Sequence, residues 1–393
     1  MQERMRQMIY LDSAATTPIA DEVFEAMLPW LKGNFGNPGS MYKAGRDAKS
    51  AIEKARGQVA RLFNASPENI IFTSGGSEGN SFAFQAAAER LEASGKKHIL
   101  VSAVEHDSVL KAAESLTKRG FHVDYLPVCK GGSVRFDTVK QAITPETGLI
   151  SIMYVNNETG AINLLDEIGQ LCSENGILFH TDCVQAAGFL SINIESIRCD
   201  YATASAHKFH GPKGIGCVYV REPERAVSMI HGGHGQEFGL RGGTENVPGI
   251  VGMGEAAEIA VNTIIDTQEL LWDYRIKFWQ KLSDELGDSI HLNGQWLAPS
   301  KVLNVRVDGI DADTMVLAMD SFGVCISAGS ACRSHELEPS ETLMAMGLTA
   351  DEARNSIRIS FSSMNTMDDI MNAADTFINC VRALSGDTYD IEE

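Results

Sequence analysis

A glycine-rich serine cluster, an aspartate and a lysine each follow a short apolar run in this sequence, and together they define a chemistry. Ser74-Gly75-Gly76-Ser77-Glu78 follows the run 69–73. Just before a helix, its N–H groups and hydroxyl would suit a phosphate. Asp182, in Asp182-Cys183-Val184-Gln185, follows an apolar stretch, where a carboxylate needs a cationic or N–H partner. Lys208, in Ala206-His207-Lys208, follows another. A desolvated lysine is a better nucleophilic amine than a surface one. Glu105-His106 and Asn156-Asn157-Glu158 complete the set. Taken singly, such clusters are more often solvated loops, helix caps or surface lysines. Together, a phosphate cradle, an aspartate for a pyridine nitrogen and a Schiff-base lysine match pyridoxal 5'-phosphate, PLP.

Other patterns point elsewhere. Gly75-Gly76-Ser77-Glu78-Gly79 fits G-x-S-x-G, so Ser77 with Asp182 and His207 formally supplies a serine-hydrolase order. That reading leaves Lys208 and Cys332 without a task. His207/His210 and His231/His234 have spacings a metal could use, but no carboxylate or cysteine stands beside them, so no metal is expected. Cys332 sits in Ser327-Ala328-Gly329-Ser330-Ala331-Cys332-Arg333-Ser334, where small neighbours leave a thiol accessible and Arg333 favours the thiolate. Small side chains bury little apolar area, so a mobile segment is expected over about 331–337.

These residues need a scaffold. Candidate strands are 69–73, 98–102, 149–155, 177–181, 201–205 and 216–220, with helices at 43–63 and 165–175 between them. Strand–helix alternation of this kind predicts an α/β fold with a mostly parallel sheet, whose ligands sit at the carboxyl ends of the strands. A glycine-rich stretch, His231–Gly249, precedes a long helix at 254–286. The remainder reads as a smaller α+β unit with strands at 302–307 and 356–361 and a last helix at 367–384. The expected division is a large domain over 15–255 and a small domain over 1–14 and 256–393 that carries the Cys332 loop.

Composition narrows the classes. Residues are 44% apolar and 22% charged, as in soluble globular proteins. The net charge of −19 repels phosphate backbones, so nucleic acid is not an expected ligand. No apolar run is long enough for a membrane span, and Met1–Tyr10 has no signal-peptide pattern. The eight cysteines form no C-x-x-C pair, and reduced thiols in a cytoplasm are expected.

The chain resembles the cysteine desulfurases of the NifS/IscS type, in the class V aminotransferase group of PLP enzymes. The resemblance rests on Tyr10-Leu11-Asp12-Ser13-Ala14-Ala15-Thr16-Thr17-Pro18, Phe35-Gly36-Asn37-Pro38, Phe72-Thr73-Ser74-Gly75, Glu105-His106 and Val155-Asn156-Asn157-Glu158-Thr159-Gly160. It continues through His180-Thr181-Asp182, Ser205-Ala206-His207-Lys208, Arg241-Gly242-Gly243-Thr244, Ser330-Ala331-Cys332 and Arg358-Ile359-Ser360. It implies an aspartate-aminotransferase-like PLP fold. Lys208 would carry the cofactor as a Schiff base and move the substrate Cα proton. Asp182 would face the pyridinium nitrogen, Gln185 the ring oxygen, and His106 the ring itself. Gly76, Ser77, Ser205 and His207 would hold the phosphate, and Thr244 would reach that of the partner subunit in a homodimer. Asn157, Arg358 and Asn37 would bind the substrate, L-cysteine. Cys332 would take its sulfur as a persulfide, releasing L-alanine, for a sulfur-accepting protein such as an iron–sulfur scaffold. Selenocysteine lyase and cysteine sulfinate desulfinase are the alternatives the same residues allow. Relatives carry Ala-Thr where Gly76-Ser77 stands. Relatives that serve a general iron–sulfur scaffold carry a longer C-terminal tail that helps dock it, so the resemblance leaves the acceptor open between such a scaffold and a sulfur carrier.

Overall fold

The computed structural model describes residues 8–232, 235–329 and 338–386. Its strands are β1 (Ile9–Tyr10), β2 (Ile70–Thr73), β3 (His98–Ser102), β4 (His122–Leu126), β5 (Thr147–Ser151), β6 (Leu178–Asp182), β7 (Tyr201–Ser205), β8 (Gly216–Val220), β9 (Ile290–Asn293), β10 (Val302–Val307), β11 (Val324–Cys325) and β12 (Ser356–Ser360). The helices that matter for the site are α1 (Asp21–Lys32), α2 (Lys43–Phe63), α3 (Gly76–Ser94), α4 (Asp107–Thr117), α5 (Leu165–Glu174), α6 (Val247–Leu286) and α7 (Met367–Ser385).

Seven strands form one sheet in the order β2-β8-β7-β6-β5-β3-β4. Only β8 runs opposite to the other six. The strands β2, β3, β5, β7 and β8 are buried along their whole length, which is why they read as continuous apolar runs. The edge strand β4 is mostly exposed and reads His-Val-Asp-Tyr-Leu, so its sequence gives no apolar run. The ladder of β5 stops at Ser151, short of the expected Val155. Beyond it Asn156, fully buried, turns the chain by accepting from the N–H groups of Glu158 and Thr159 and from the Thr159 hydroxyl.

A second sheet, β12-β10-β9, is antiparallel, and β1 pairs in parallel with β11. The long helix α6 starts earlier than the expected 254, because Asn246 caps it by accepting from Gly249 N–H and Pro248 fits its first turn. Its Gly254 lies against α2: a Cβ there would stand 2.7 Å from Ala55 Cα. The side chain is absent where two helix backbones touch. Among the described residues no helix is long and apolar enough to cross a membrane. All seven described cysteines are free, and Cys172, Cys183, Cys199, Cys217 and Cys380 are buried.

A buried ion pair pins the glycine-rich segment before α6. Arg56 donates to both oxygens of Glu237, each at 2.8 Å, with both side chains 3% exposed. Glu237 also accepts from Phe72 N–H on β2, and the Arg56 guanidinium lies over the rings of Phe72 and Phe238, 4.9 Å from each. Glu237 and Phe238 hold left-handed backbone conformations, at φ 43° and 56°. The pair therefore overrides a local strain of order 1 kcal/mol per residue. Glu237→Ala should strand a buried guanidinium and destabilise the protein by about 3–5 kcal/mol. Urea denaturation measures this, and a loss below about 1 kcal/mol would show that the pair is not the anchor.

Candidate active site

The carboxyl ends of β6 and β7 and the start of α3 open onto one pocket, closed on the other side by residues 14 and 15 and by β12. Gly76, Ser77, His106, Asn157, Asp182, Gln185, Ser205, His207, Lys208 and Arg358 all line it. Asn37 and Thr244 do not: both are exposed, and Asn37 Oδ1 accepts from Gly39 N–H. Cys332 and the segment 331–337 lie outside the described residues.

Lys208 sits in a single 3₁₀ turn after β7, and its ammonium donates to the carbonyls of Ala14 at 2.6 Å and Ala15 at 2.7 Å. Gln185 Nε2 donates to the same Ala14 carbonyl at 2.8 Å, while its Oε1 is buried without a partner. Asp182, 4% exposed at the end of β6, accepts from Val184 N–H and from Asn80 Nδ2, each at 2.8 Å. His106 caps α4, its Nδ1 accepting from Ser108 N–H at 3.1 Å. Gly75 has φ 156°, and a Cβ on Gly76 would come within 2.9 Å of Val184 Cγ2. The two glycines thus let the first turn of α3 approach the pocket with its N–H groups bare.

His207 Nδ1 lies 3.1 Å from Thr16 Oγ1, and burial, with the positive charges of Lys208, Lys213 and Lys301, pushes its pKa down to about 4. Lys301 is buried behind Lys208, donating to the Lys208 carbonyl at 3.3 Å. Burial and the Lys208 charge push its pKa down to about 7. Burial raises Glu105 well above the usual carboxylate range; the nearby Asp182 adds to this, while a bond from Met153 N–H opposes it. Arg358 is buried on β12, donating to Asp12 Oδ1 at 2.7 Å and to the Asn157 carbonyl at 3.1 Å, with its Nε unpartnered.

The hydrolase arrangement is not assembled. Asp182 is held by Asn80 and Val184, and His207 by Thr16, so no Ser77–His207–Asp182 relay exists. Sequence reasoning overlooked Asn80, Ser108, Lys301 and the carbonyls of Ala14 and Ala15. Backbone carbonyls carry no side-chain signal. Asn80 looked like an ordinary helix residue, although it stands four residues after Gly76, on the same face of α3.

A family profile described as aminotransferase class-V matches residues 9–372. The chain belongs to the class V aminotransferase family. It is 41% identical over 382 residues to the cysteine desulfurase IscS of Dictyoglomus turgidum, covering 97% of this chain and 96% of that one. The Methanosarcina thermophila protein of the same name is 42% identical, covering 92% of this chain and 89% of its own. Among solved structures, a NifS-like protein superposes with a TM-score of 0.88 at 33% identity, over 97% of this chain and all of that one. A structure of SspA in complex with cysteine gives 0.79 at 37% identity, over 90% of this chain and 98% of that one.

His180, beneath the pocket, gives a pH prediction. Burial pushes its pKa down to about 3 from the usual 6.5. The unfolded chain therefore binds a proton that the folded chain refuses between those values, and stability falls as pH drops below about 6.5. His180 contributes up to about 1.4 kcal/mol per pH unit to that slope. Urea melts at pH 7, 6 and 5 of the parent and of His180→Asn should show a shallower acid decline in the variant. Equal slopes would refute the burial account.

Proposed function

We propose that this protein is a PLP-dependent cysteine desulfurase that converts L-cysteine to L-alanine and leaves the sulfur on Cys332 as a persulfide. The observation that carries this reading is the convergence of Lys208, Asp182, Gln185, His106 and the Gly76–Ser77 helix start on one pocket. The residues fit the cofactor on structural grounds alone. The buried, unpartnered Gln185 Oε1 marks an amide with hydrogen-bonding capacity to spare, and the bare α3 N-terminus suits a phosphate.

When bound, PLP supplies an electron sink next to the substrate Cα. Asp182 would hold the proton of the pyridine nitrogen. Ser77, Ser205, His207 and the Gly76 N–H would hold the phosphate, and Gln185 the ring oxygen. His106 would lie against the ring and assist proton transfer. Lys208 would anchor the cofactor covalently and then move the substrate Cα proton, drawing on the amine that Ala14 and Ala15 now hold. Arg358 and Asn157, with Asn37, would orient the substrate carboxylate. Cys332, as thiolate, would attack the substrate sulfur. The S–S bond forms, the Cβ–S bond breaks with its electron pair left on carbon, and Cβ takes a proton to give alanine.

The same proposal covers the setting. A homodimer would bring Thr244, exposed on its own subunit, to the partner's phosphate. A sulfur-accepting protein would take the persulfide sulfur for iron–sulfur clusters or other thio-cofactors. The free thiols support a cytoplasmic location. The three-stranded sheet and α7 support a small domain of 1–14 and 256–393 beside a large one of 15–255.

Purified protein should be coloured, and borohydride reduction followed by peptide mapping should mark Lys208. Label on Lys213, or a colourless protein after reconstitution with PLP, would reject the assignment. Cys332→Ser should still bind L-cysteine and perturb the cofactor spectrum, yet release little alanine and carry no persulfide by mass spectrometry. Full alanine production by this variant would favour direct elimination, as in a selenocysteine-lyase-like enzyme.

A further inference from the structure

Asn80 stands where three elements meet. It lies on α3, is 1% exposed, and bonds groups on β6 and at the start of α4. Its Nδ2 is 2.8 Å from Asp182 Oδ2 and 2.9 Å from Ser108 Oγ, and its Oδ1 is 3.2 Å from His180 Nε2. His180 Nδ1 is in turn 2.8 Å from Ser151 Oγ, and Ser108 Oγ is 2.8 Å from His106 Nδ1.

The direction of every bond follows from one acceptor. The Asn80 group facing Asp182 is its NH₂, which donates to the carboxylate oxygen. The Asn80 carbonyl then faces His180, which must present its proton on Nε2. The His180 ring is sealed edge-on against Phe84, 5.4 Å between centroids, and is neutral at pH 7. Its Nδ1 therefore accepts from the Ser151 hydroxyl. The second Asn80 hydrogen points to Ser108 Oγ, leaving that hydroxyl to donate to His106 Nδ1. Nδ1 of His106 thus takes both the hydroxyl and the backbone N–H of Ser108, and a neutral His106 carries its proton on Nε2.

We propose that Asn80 is a positioning residue that couples Asp182 to His106, fixing the orientation of the carboxylate and, through the Ser108 hydroxyl, the second donor on the imidazole. The proposal rests on the PLP reading above for its purpose, but its geometry needs only this chain. Removing the amide leaves Asp182 with a single N–H donor, and frees the Ser108 hydroxyl to turn away from His106. Chains of this kind act as a unit, since each group's donor is fixed by its neighbour.

The test uses full-length Asn80→Ala and Ser108→Ala proteins, each loaded with PLP. Three readouts are compared with the parent: the PLP dissociation constant, the pH midpoint of the bound cofactor's absorption band, and the ¹⁵N shifts of the His106 ring. Asn80→Ala should weaken PLP binding about tenfold, the loss of one charge-assisted hydrogen bond, and should move the pH midpoint. It should also shift the His106 Nδ1 resonance, because Nδ1 keeps the Ser108 N–H but loses a hydroxyl held toward it. Ser108→Ala should keep PLP affinity within about twofold but show the same Nδ1 shift, since it removes the hydroxyl donor outright. An Asn80→Ala protein with parental pH midpoint and His106 shifts overturns the proposal, as does a Ser108→Ala protein with an unchanged His106. If Asn80→Ala does not fold, the Ser108→Ala spectrum decides the His106 arm. The ring shifts are also recorded without PLP, so a parent that binds no PLP would sink the function and still leave the coupling to be judged.

Discussion

Residues 9–18 cross between the two main sheets, and their hydrogen bonds decide where everything else in the pocket stands. On one side Ser360 N–H donates to the Leu11 carbonyl, Ala14 N–H to Ser360 Oγ, and the Ser13 hydroxyl to the Phe361 carbonyl. On the other, Thr17 N–H donates to the His207 carbonyl, and the carbonyls of Ala14 and Ala15 receive Lys208 and Gln185. Asp12 holds Arg358 in the same stretch. One short strip, extended at residues 9–12 and turning at residues 13–15, thus fixes the position of the Lys208 amine relative to Arg358, though the two follow different sheets. It can do so because the turn spends its own N–H groups on Asp12 and Ser360 and leaves the Ala14 and Ala15 carbonyls free for the pocket side chains.

The site has little tolerance for error because most of its polar groups are buried. Asp182, Glu105, Arg358, His180 and Lys301 are all nearly closed to solvent. Each must be neutral or find partners inside the protein. Histidine and lysine respond by moving toward neutrality, as does the carboxyl of Glu105. Asp182 and Arg358 instead draw donors and acceptors from neighbouring elements.

Much of this arrangement was legible before the structure. The helix 43–63 matches α2 end for end, since its alanine and valine stripe has an unbroken helical period and Asn64 closes it in a left-handed conformation. The clusters after the central strands do converge, because parallel strands deliver their carboxyl ends to one rim. Other features left no such trace. The edge strand β4 mixes histidine, aspartate and tyrosine with its apolar residues. The start of α6 was hidden because its first residues, Val247–Gly249, also end the glycine-rich stretch His231–Gly249. Asn80 was invisible because its partners are 28 to 102 residues away in sequence. Asn37 and Thr244 stayed outside the pocket of a single chain, since their expected roles came from the family resemblance and not from any local pattern.

The buried cysteines carry a consequence for a protein that handles reactive sulfur. Persulfide sulfur migrates to thiolates, and any thiolate within reach competes with the intended acceptor. Burial raises Cys172 to about 12 and pushes Cys183, Cys199 and Cys217 up as well, so these sulfurs stay protonated and closed to exchange. Cys129 is the contrasting case, half-buried in a turn whose N–H groups and Ser133 hydroxyl outweigh its partial burial and favour its thiolate. The hydrophobic core therefore works as a quarantine: it sorts chemically identical thiols into inert and exchangeable pools through solvation alone.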